Sequence, residues 1–180
     1  MTSPSPFSLP AVLNPPMTGR EAVVDALYRC VMAFDTNDTA LFDSSFMPDG
    51  VFEVNGRALE GLAEIHATGL ALIFQLDTTH LVSNVRVHMR TGTGTPKAGP
   101  VEKEVEEKEA SLTATVLSQH FAGGKGMEPG QKNLMSGSLY RAELTQDTDR
   151  LWKFSHMQIK STWVQGDYSV VGGNFADMGQ

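Results

Sequence analysis

Apolar residues recur at helical spacing through the first third of the chain. The spacing predicts a first helix over residues 19–35. Thr18, followed three residues later by Glu21, fits a capping box at its start. A third helix, after a short second one, is predicted over residues 61–75. The apolar positions of the first helix are Val24, Leu27, Tyr28, Val31 and Phe34.

The stretch between these two helices contains several turn signals. Asn37 or Asp38 can cap the short second helix. The sequence MPDG at residues 47–50 predicts a turn, and the four residues that follow it, 51–54, predict a short strand. Asn-Gly at positions 55 and 56 is typical of a hairpin turn. We therefore expect a small hairpin before the third helix.

From residue 78 onward the chain is rich in β-branched and aromatic residues. These segments predict four long strands, over residues 80–89, 110–121, 132–144 and 151–163. Between the first two lies a Gly/Thr/Pro-rich and then charged stretch, residues 91–109, which predicts a long exposed loop. Helices followed by a run of antiparallel strands indicate an α+β fold.

The predicted elements form one domain over residues 18–168. Five prolines in residues 1–17 indicate an arm, either mobile or laid over a neighbour, and residues 169–180 form a tail. A curved antiparallel sheet wrapped on the helices makes a cone with one open end. Its concave face and the helices then enclose a pocket, where small-molecule sites usually lie.

Composition narrows the class of partner. The chain has 180 residues and a formal net charge of -7, so we expect neither nucleic acid nor an anionic membrane as partner. One cysteine, Cys30, excludes an internal disulfide and a multi-cysteine metal site, and the histidines show no metal-ligand spacing. No long apolar run or signal-peptide pattern is present, so we expect a cytoplasmic protein.

Three titratable residues are candidates for acid–base chemistry. Asp35 continues the apolar stripe of the first helix at its C-terminal turn, where both burial and the helix dipole disfavour a carboxylate. His80 opens the first long strand, and His120 lies near the end of the next. A histidine beside a carboxylate can transfer protons at neutral pH. Each has a structural alternative, a helix-terminating aspartate or surface histidines, and a bulge would place Gln119 in the pocket instead of His120.

Other polar residues are candidates for binding a ligand. Ser136, Ser138 and Tyr140 alternate onto one face of a strand, where hydroxyls can orient a polar ligand or simply face solvent. Asn84 shares a face with His80 by the same period of two, and Tyr28 lies on the stripe that Asp35 continues. Nucleophile-elbow, P-loop and dinucleotide-binding motifs are absent from the sequence.

The order of these motifs resembles the SnoaL-like proteins, and scytalone dehydratase in particular, over about residues 18–168. The resemblance is carried by Asp35 ending a helix, Thr-His at 79–80, a strand with His120, SGSL at 136–139 and LWKF at 151–154. It implies the cone-shaped fold of nuclear transport factor two and a cofactor-independent Asp/His pocket. It also implies that Phe34 stands where those enzymes have a tyrosine and Ser138 where they have an asparagine.

The resemblance implies a lyase or isomerase of secondary metabolism that needs no cofactor. Such an enzyme would dehydrate, cyclise or isomerise a polyketide-like or terpenoid-like molecule. His80 and His120 would move the proton, Asp35 would orient a histidine, and Ser136 would bind a substrate oxygen. The alternative is a non-catalytic binding or dimerisation module on the same fold. In either case we expect a homodimer, with a homotrimer as the other possibility.

Overall fold

The computed structural model describes residues 6–90 and 108–172. Helices precede the long strands, as predicted. The predicted arm, exposed loop and tail fall partly on residues 1–5, 91–107 and 173–180, which lie outside the described residues. The elements in chain order are α1 (Gly19–Thr36), α2 (Thr39–Asp43), β1 (Phe46–Val54), β2 (Arg57–Glu60), α3 (Gly61–Glu64), a π-helical segment (Ile65–Leu70), α4 (Ala71–Ile73), β3 (Leu76–Arg90), β4 (Glu109–Ala122), β5 (Asn133–Gln146), β6 (Trp152–Gly166) and a 3-10 helix (Tyr168–Val171).

Helix α1 buries one apolar face and ends one residue before a left-handed residue. Thr18 is its N-cap, but its side chain makes no capping hydrogen bond, so the predicted capping box is wrong. Asn37 adopts a φ of 54° and donates its backbone N–H to Ala33 O, which ends the helix. Asp38 then caps α2 by accepting a hydrogen bond from Leu41 N at 2.9 Å.

The turn predicted at residues 47–50 is wrong, because these residues belong to β1. Phe46 already pairs with Phe154, and the register shifts before Val51, so the chain bulges instead of reversing. A Cβ on Gly50 would lie 2.7 Å from the backbone oxygen of Phe154, which explains the glycine there. The hairpin at Asn55 is confirmed, with φ of 51° at Asn55 and 89° at the following glycine.

The strands of the described residues form one mixed sheet in the order β2-β1-β6-β5-β4-β3. Most of the neighbouring pairs are antiparallel, but β1 and β6 run parallel, which corrects the prediction of an antiparallel sheet. The helical crossover after β2 carries the chain to the far edge of the sheet. Three antiparallel steps then bring β6 back beside β1 in the same direction.

Helix α1 packs against the sheet through a core that includes one buried cation. The Arg29 guanidinium donates to Trp152 O at 2.7 Å and to Asp25 Oδ2 at 2.8 Å, and it also contacts Ser44 O. These bonds join α1, the end of α2 and the start of β6. They therefore fix the helix on the sheet with the buried charge paired.

Both ends of the described chain contact the domain. Ser8 Oγ donates to Asp38 Oδ2 at 2.5 Å, so this part of the arm lies on the α1–α2 connection. Val171 is buried in a small cluster with Leu76 and Leu134, so the 3-10 helix that follows β6 packs on the sheet. No helix among the described residues is long and apolar enough to cross a membrane.

Candidate active site

A cavity of about 470 Å³ lies between the sheet and the helices. Its apolar wall includes Phe34, Phe52 and Ile159. None of the described residues that line it is Lys, Arg, Asp or Glu. The polar lining residues are Asn55, His80, Ser118, His120, Ser136, Ser138, Tyr140, Ser161, Thr162 and Tyr168. The cavity therefore suits an uncharged ligand with several oxygen atoms.

Asp35 lies at the end of α1, and its carboxylate accepts hydrogen bonds from residues near the start of β3. Its Oδ1 accepts hydrogen bonds from Thr78 Oγ1 at 2.7 Å and His80 Nδ1 at 2.6 Å, and its Oδ2 accepts from His80 N at 2.9 Å. Burial raises the pKa of this carboxyl, but the hydrogen bonds from His80 and Thr78 outweigh it and leave the pKa below its usual value. Asp35 is therefore ionised at neutral pH.

His80 is held by Asp35 at one nitrogen and lines the cavity. A carboxylate can only accept, so Nδ1 carries the ring proton and Nε2 carries the lone pair of the neutral imidazole. The ring lies 5.4 Å from the Phe34 ring, centroid to centroid, and its side chain is 4% exposed. This arrangement fixes the ring and its tautomer, as a carboxylate does in hydrolase triads.

His120 lines the cavity beside His80 but lacks a carboxylate partner of its own among the described residues. The two rings are 5.7 Å apart, centroid to centroid, and lie edge to face. His120 Nδ1 is buried and has no hydrogen-bond partner within residues 6–90 and 108–172. Burial, together with the nearby His80, lowers the pKa of His120 to about 4, although Asp35 acts in the opposite direction. His120 is therefore neutral at physiological pH.

The choice between His120 and Gln119 is settled by regular alternation along β4. Inward positions of β4 are buried from Ala110 to His120, and no register shift interrupts its pairing with β5. Gln119 faces the other side, where its Nε2 donates to Asn133 Oδ1 at 3.2 Å. Ser118 shares the inward face with His120, pairs with His80 on one side and lines the cavity.

The three predicted β5 residues all line the cavity. Ser136 pairs with Ser118 across the strands, and Ser138 and Tyr140 follow on the same face. Burial raises the pKa of the Tyr140 phenol above its usual value, which the Ser118 hydroxyl only partly offsets. Tyr140 is therefore a protonated hydroxyl group at the cavity wall.

Two residues predicted to bind the ligand do not reach the cavity. Tyr28 is 45% exposed, because the buried stripe of α1 runs through Leu27 and Cys30 and leaves Tyr28 outside. The prediction that Asn84 shares the cavity face with His80 is also wrong, because the strand bulges between Ser83 and Arg86 and Asn84 adopts a φ of 52°. The bulge shifts the alternation and moves Asn84 off the face that His80 occupies.

Sequence reasoning missed the contribution of Asn55, Ser161 and Trp163 to the cavity. In the sequence, the hairpin turn is a sufficient explanation for Asn55, so no role in binding is indicated. Ser161 precedes a bulge in β6, after which Gly137 pairs with Trp163, and regular alternation does not predict such a bulge. A Cβ on Gly137 would overlap the Trp163 ring, so the glycine allows this contact. Among residues 6–90 and 108–172, no group of three or more His, Cys, Asp or Glu side chains is arranged to hold a metal ion.

The fold and the site define a cone whose inner wall includes a histidine that is hydrogen-bonded to an aspartate. The family model of the SnoaL-like domain matches residues 16–158, and the chain belongs to this family. The resemblance predicted from the motifs is thereby confirmed at the level of the family.

Individual proteins and solved structures are also similar to the chain. The chain is 40% identical over 166 residues to terrestric acid biosynthesis cluster protein E of Penicillium crustosum, covering 92% of this chain and 97% of that protein. A candidate scytalone dehydratase from Novosphingobium aromaticivorans DSM 12444 has a TM-score of 0.63 at 17% identity, covering 82% and 86% of the two chains. The hexachlorocyclohexane dehydrochlorinase LinA-type3 from Novosphingobium barchaimii LL02 has a TM-score of 0.59 at 16% identity, covering 82% and 89%. These two structures are similar in fold.

Proposed function

We propose that the protein is a cofactor-independent lyase or isomerase of secondary metabolism. The observation that carries this proposal is the contact of 2.6 Å between Asp35 Oδ1 and His80 Nδ1 on the wall of a cavity. The similarity to a protein of the terrestric acid biosynthesis cluster supports a biosynthetic role. The substrate is a small oxygenated molecule of polyketide-like or terpenoid-like character, since no charged side chain among the described residues lines the cavity.

His80 is the proton carrier in this proposal. Its Nε2 removes a proton from a carbon next to a carbonyl group, and the positive charge that forms on the ring is stabilised by the Asp35 carboxylate. In a dehydration, the same imidazolium then gives its proton to the departing hydroxyl group, so that water leaves and a carbon–carbon double bond forms. In an isomerisation, the proton returns to another carbon instead.

His120 has a different role from His80. A histidine whose pKa is lowered to about 4 is neutral at pH 7 and is a weak base, so His120 is a poor general acid and a poor proton acceptor compared with an ordinary histidine. His120 instead binds the substrate as a neutral imidazole and orients the hydroxyl or carbonyl oxygen. Ser136, Ser138 and Tyr140 provide further hydroxyl groups on the cavity wall, which can bind other oxygen atoms of the substrate.

The proposal is tested in the organism that carries the gene. Deleting the gene should cause the substrate to accumulate, and purified protein added to an extract of that strain should convert it. Mass spectrometry then distinguishes loss of one water from rearrangement at constant mass. In D2O, an isomerisation should place deuterium at the carbon that receives the proton from His80, to the extent that this proton exchanges with solvent. A dehydration instead passes the proton to the departing water and should leave no deuterium at the new double bond. The His80→Gln variant should bind the accumulated compound but leave it unchanged.

The alternative is a ligand carrier on the same fold. His80 and His120 line one cavity, and Asp35 is hydrogen-bonded to His80 Nδ1 without itself lining the cavity. This arrangement favours the enzyme, because a carrier needs no carboxylate-bound histidine at its cavity. If the wild-type protein binds the accumulated compound without converting it, the enzyme proposal is wrong and the carrier replaces it.

A further inference from the structure

Three side chains on the cavity wall form a hydrogen-bonded relay, here defined as Asn55, Ser161 and Ser138. Asn55 Oδ1 accepts from Ser161 N at 2.8 Å, and Asn55 Nδ2 donates to Ser161 Oγ at 3.3 Å. Ser138 Oγ lies 3.3 Å from Ser161 Oγ. All three residues line the cavity, and they come from the β1–β2 turn, β6 and β5. The relay therefore depends on the folded sheet and on none of the residues of the Asp–His pair.

The orientation of the Asn55 amide follows from its partners. A backbone N–H can only donate, so the atom that faces Ser161 N must be the amide oxygen. The amide nitrogen is then the atom that faces Ser161 Oγ, and it can only donate. One lone pair of Ser161 Oγ is consequently occupied by Asn55.

The two serine hydroxyls together have one proton left for a ligand. Each hydroxyl has one proton, and the contact between Ser138 and Ser161 uses one of the two, whichever serine donates. The other proton has no acceptor within the relay, because Asn55 faces Ser161 Oγ with its amide nitrogen, which can only donate. The pair therefore presents a hydrogen-bond donor to the cavity.

The strand register places the relay well away from His80. His80 pairs with Ser118, Ser118 pairs with Ser136, and Ser138 follows two residues further along β5. Neighbouring strands and alternate residues have regular spacings, which put the Cα atoms of His80 and Ser138 about 12 Å apart in a flat sheet. A ligand that contacts both sites must span about two fused rings.

We propose that the relay is a second substrate-binding site, which donates a hydrogen bond to a carbonyl oxygen remote from the reacting carbon. The substrate class is thus a bicyclic or similarly extended molecule with oxygen functions at both ends. This inference rests on the proposed function for the reacting end of the substrate. Asn55 acts through Ser161 and is a positioning residue.

The probe is trans-decalin-2,6-dione, compared with trans-2-decalone, which lacks the second carbonyl group. Binding is measured by isothermal titration calorimetry at pH 7. Wild-type protein should bind the dione about tenfold more tightly, the scale of one added hydrogen bond. The double variant Ser138→Ala/Ser161→Ala should reduce this preference to about twofold, the statistical factor for two equivalent orientations. Ser155→Ala, a β6 variant whose hydroxyl bonds to Glu143 O, is the matched control and should retain the preference.

Asn55→Asp tests the polarity of the relay, meaning whether it offers a hydrogen-bond donor or an acceptor to the ligand. If Asn55 only supported the fold, this variant would not change which ligand the cavity prefers. One carboxylate oxygen can still accept from Ser161 N, and the other now accepts a hydrogen bond from the Ser161 hydroxyl, which uses the only proton of that hydroxyl. The relay then presents an acceptor to the cavity. This variant should lose the preference for the dione and should bind trans-decalin-2,6-diol more tightly than trans-2-decalol.

The outcomes separate this inference from the proposed function. Absence of binding of both ketones at millimolar concentration, equal affinity of wild-type protein for both, or an unchanged preference in the double variant overturns the relay as a binding site. An unchanged preference in Asn55→Asp overturns its polarity. The relay lies apart from His80, so His80→Gln should keep the preference for the dione. If wild-type protein shows this preference but leaves the compound from the deletion strain unchanged, the enzyme proposal is wrong and the relay is intact.

Discussion

Replacing Asp35 by asparagine preserves the size of the side chain but removes an acceptor that the site requires. The carboxylate faces two kinds of donor, the backbone N–H of His80 at Oδ2 and the ring Nδ1 of His80 with Thr78 Oγ1 at Oδ1. In the Asp35→Asn variant, the amide oxygen takes the place of Oδ2 toward the backbone N–H, and the amide NH2 then faces Nδ1. The ring proton is forced onto Nε2, and the base is lost.

The charge of Asp35 sets the expected magnitude. The contact of 2.6 Å between Nδ1 and Oδ1 brings the carboxylate next to the imidazolium that forms during proton transfer. Opposite charges about 4 Å apart near a protein surface attract by about 4 kcal/mol. Since about 1.4 kcal/mol corresponds to a factor of ten in rate, Asp35→Asn should lower kcat by about 10³-fold. The melting temperature should change little, because the two side chains are nearly isosteric.

Turnover is measured on the compound that accumulates in the gene-deletion strain. Asp43→Asn is the matched control, because Asp43 Oδ1 lies at the same 2.6 Å from His66 Nε2 but this pair is not among the cavity-lining residues. It should leave turnover unchanged. If Asp35→Asn retains turnover within a few-fold of wild type, with the same melting temperature, the assignment of His80 as proton carrier is refuted.

Three further predictions concern stability and assembly. The pKa of His120 is about 4 in the folded protein, below its unfolded value, so the free energy of unfolding should fall as the pH drops from about 6.5 to about 4. In denaturant titrations, His120→Gln should remove up to about 3 kcal/mol of this pH dependence. An unchanged pH dependence in the variant would contradict the lowered pKa. Gly137→Ala should lower the free energy of unfolding by about 1–3 kcal/mol, because the added Cβ would overlap the Trp163 ring. Adding Trp163→Ala should restore part of this loss; if the losses of the two single variants simply add, the predicted clash is wrong. We propose a homodimer through the outer face of the sheet, where Leu81 and Leu117 pair across neighbouring strands and are exposed. Leu117→Glu should therefore give a monomer in light scattering. A monomeric wild-type protein would disprove the dimer.

Local patterns were sufficient for most of the elements and for the centre of the site. The apolar spacing predicts α1 to within one residue of its end, and the penalties on a carboxylate there identify Asp35. Regular alternation along β4 and β5 places His120, Ser136 and Ser138 on one face. These predictions needed only the period of a helix or a strand.

Bulges and long-range contacts account for what local patterns missed. Asn84 follows the period of two in the sequence, but one inserted residue reverses the face of the strand from that point onward. Asn55 contacts Ser161, which lies 106 residues away, and Arg29 contacts Trp152 O, which lies 123 residues away. No local period reports such contacts, because they arise only when β6 returns beside β1.

The difference between the two histidines depends on one strand pairing. His120 pairs with Thr78 and His80 with Ser118, so the rings occupy neighbouring rows of the same wall. Asp35 meets the row of His80 through the backbone N–H at that position, and this places its carboxylate on Nδ1 of His80. His120 is left with burial and no carboxylate partner among the described residues, which favours its neutral form. A shift of β3 by two residues relative to α1 would remove this contact, so the register of one edge strand decides whether His80 has a carboxylate partner.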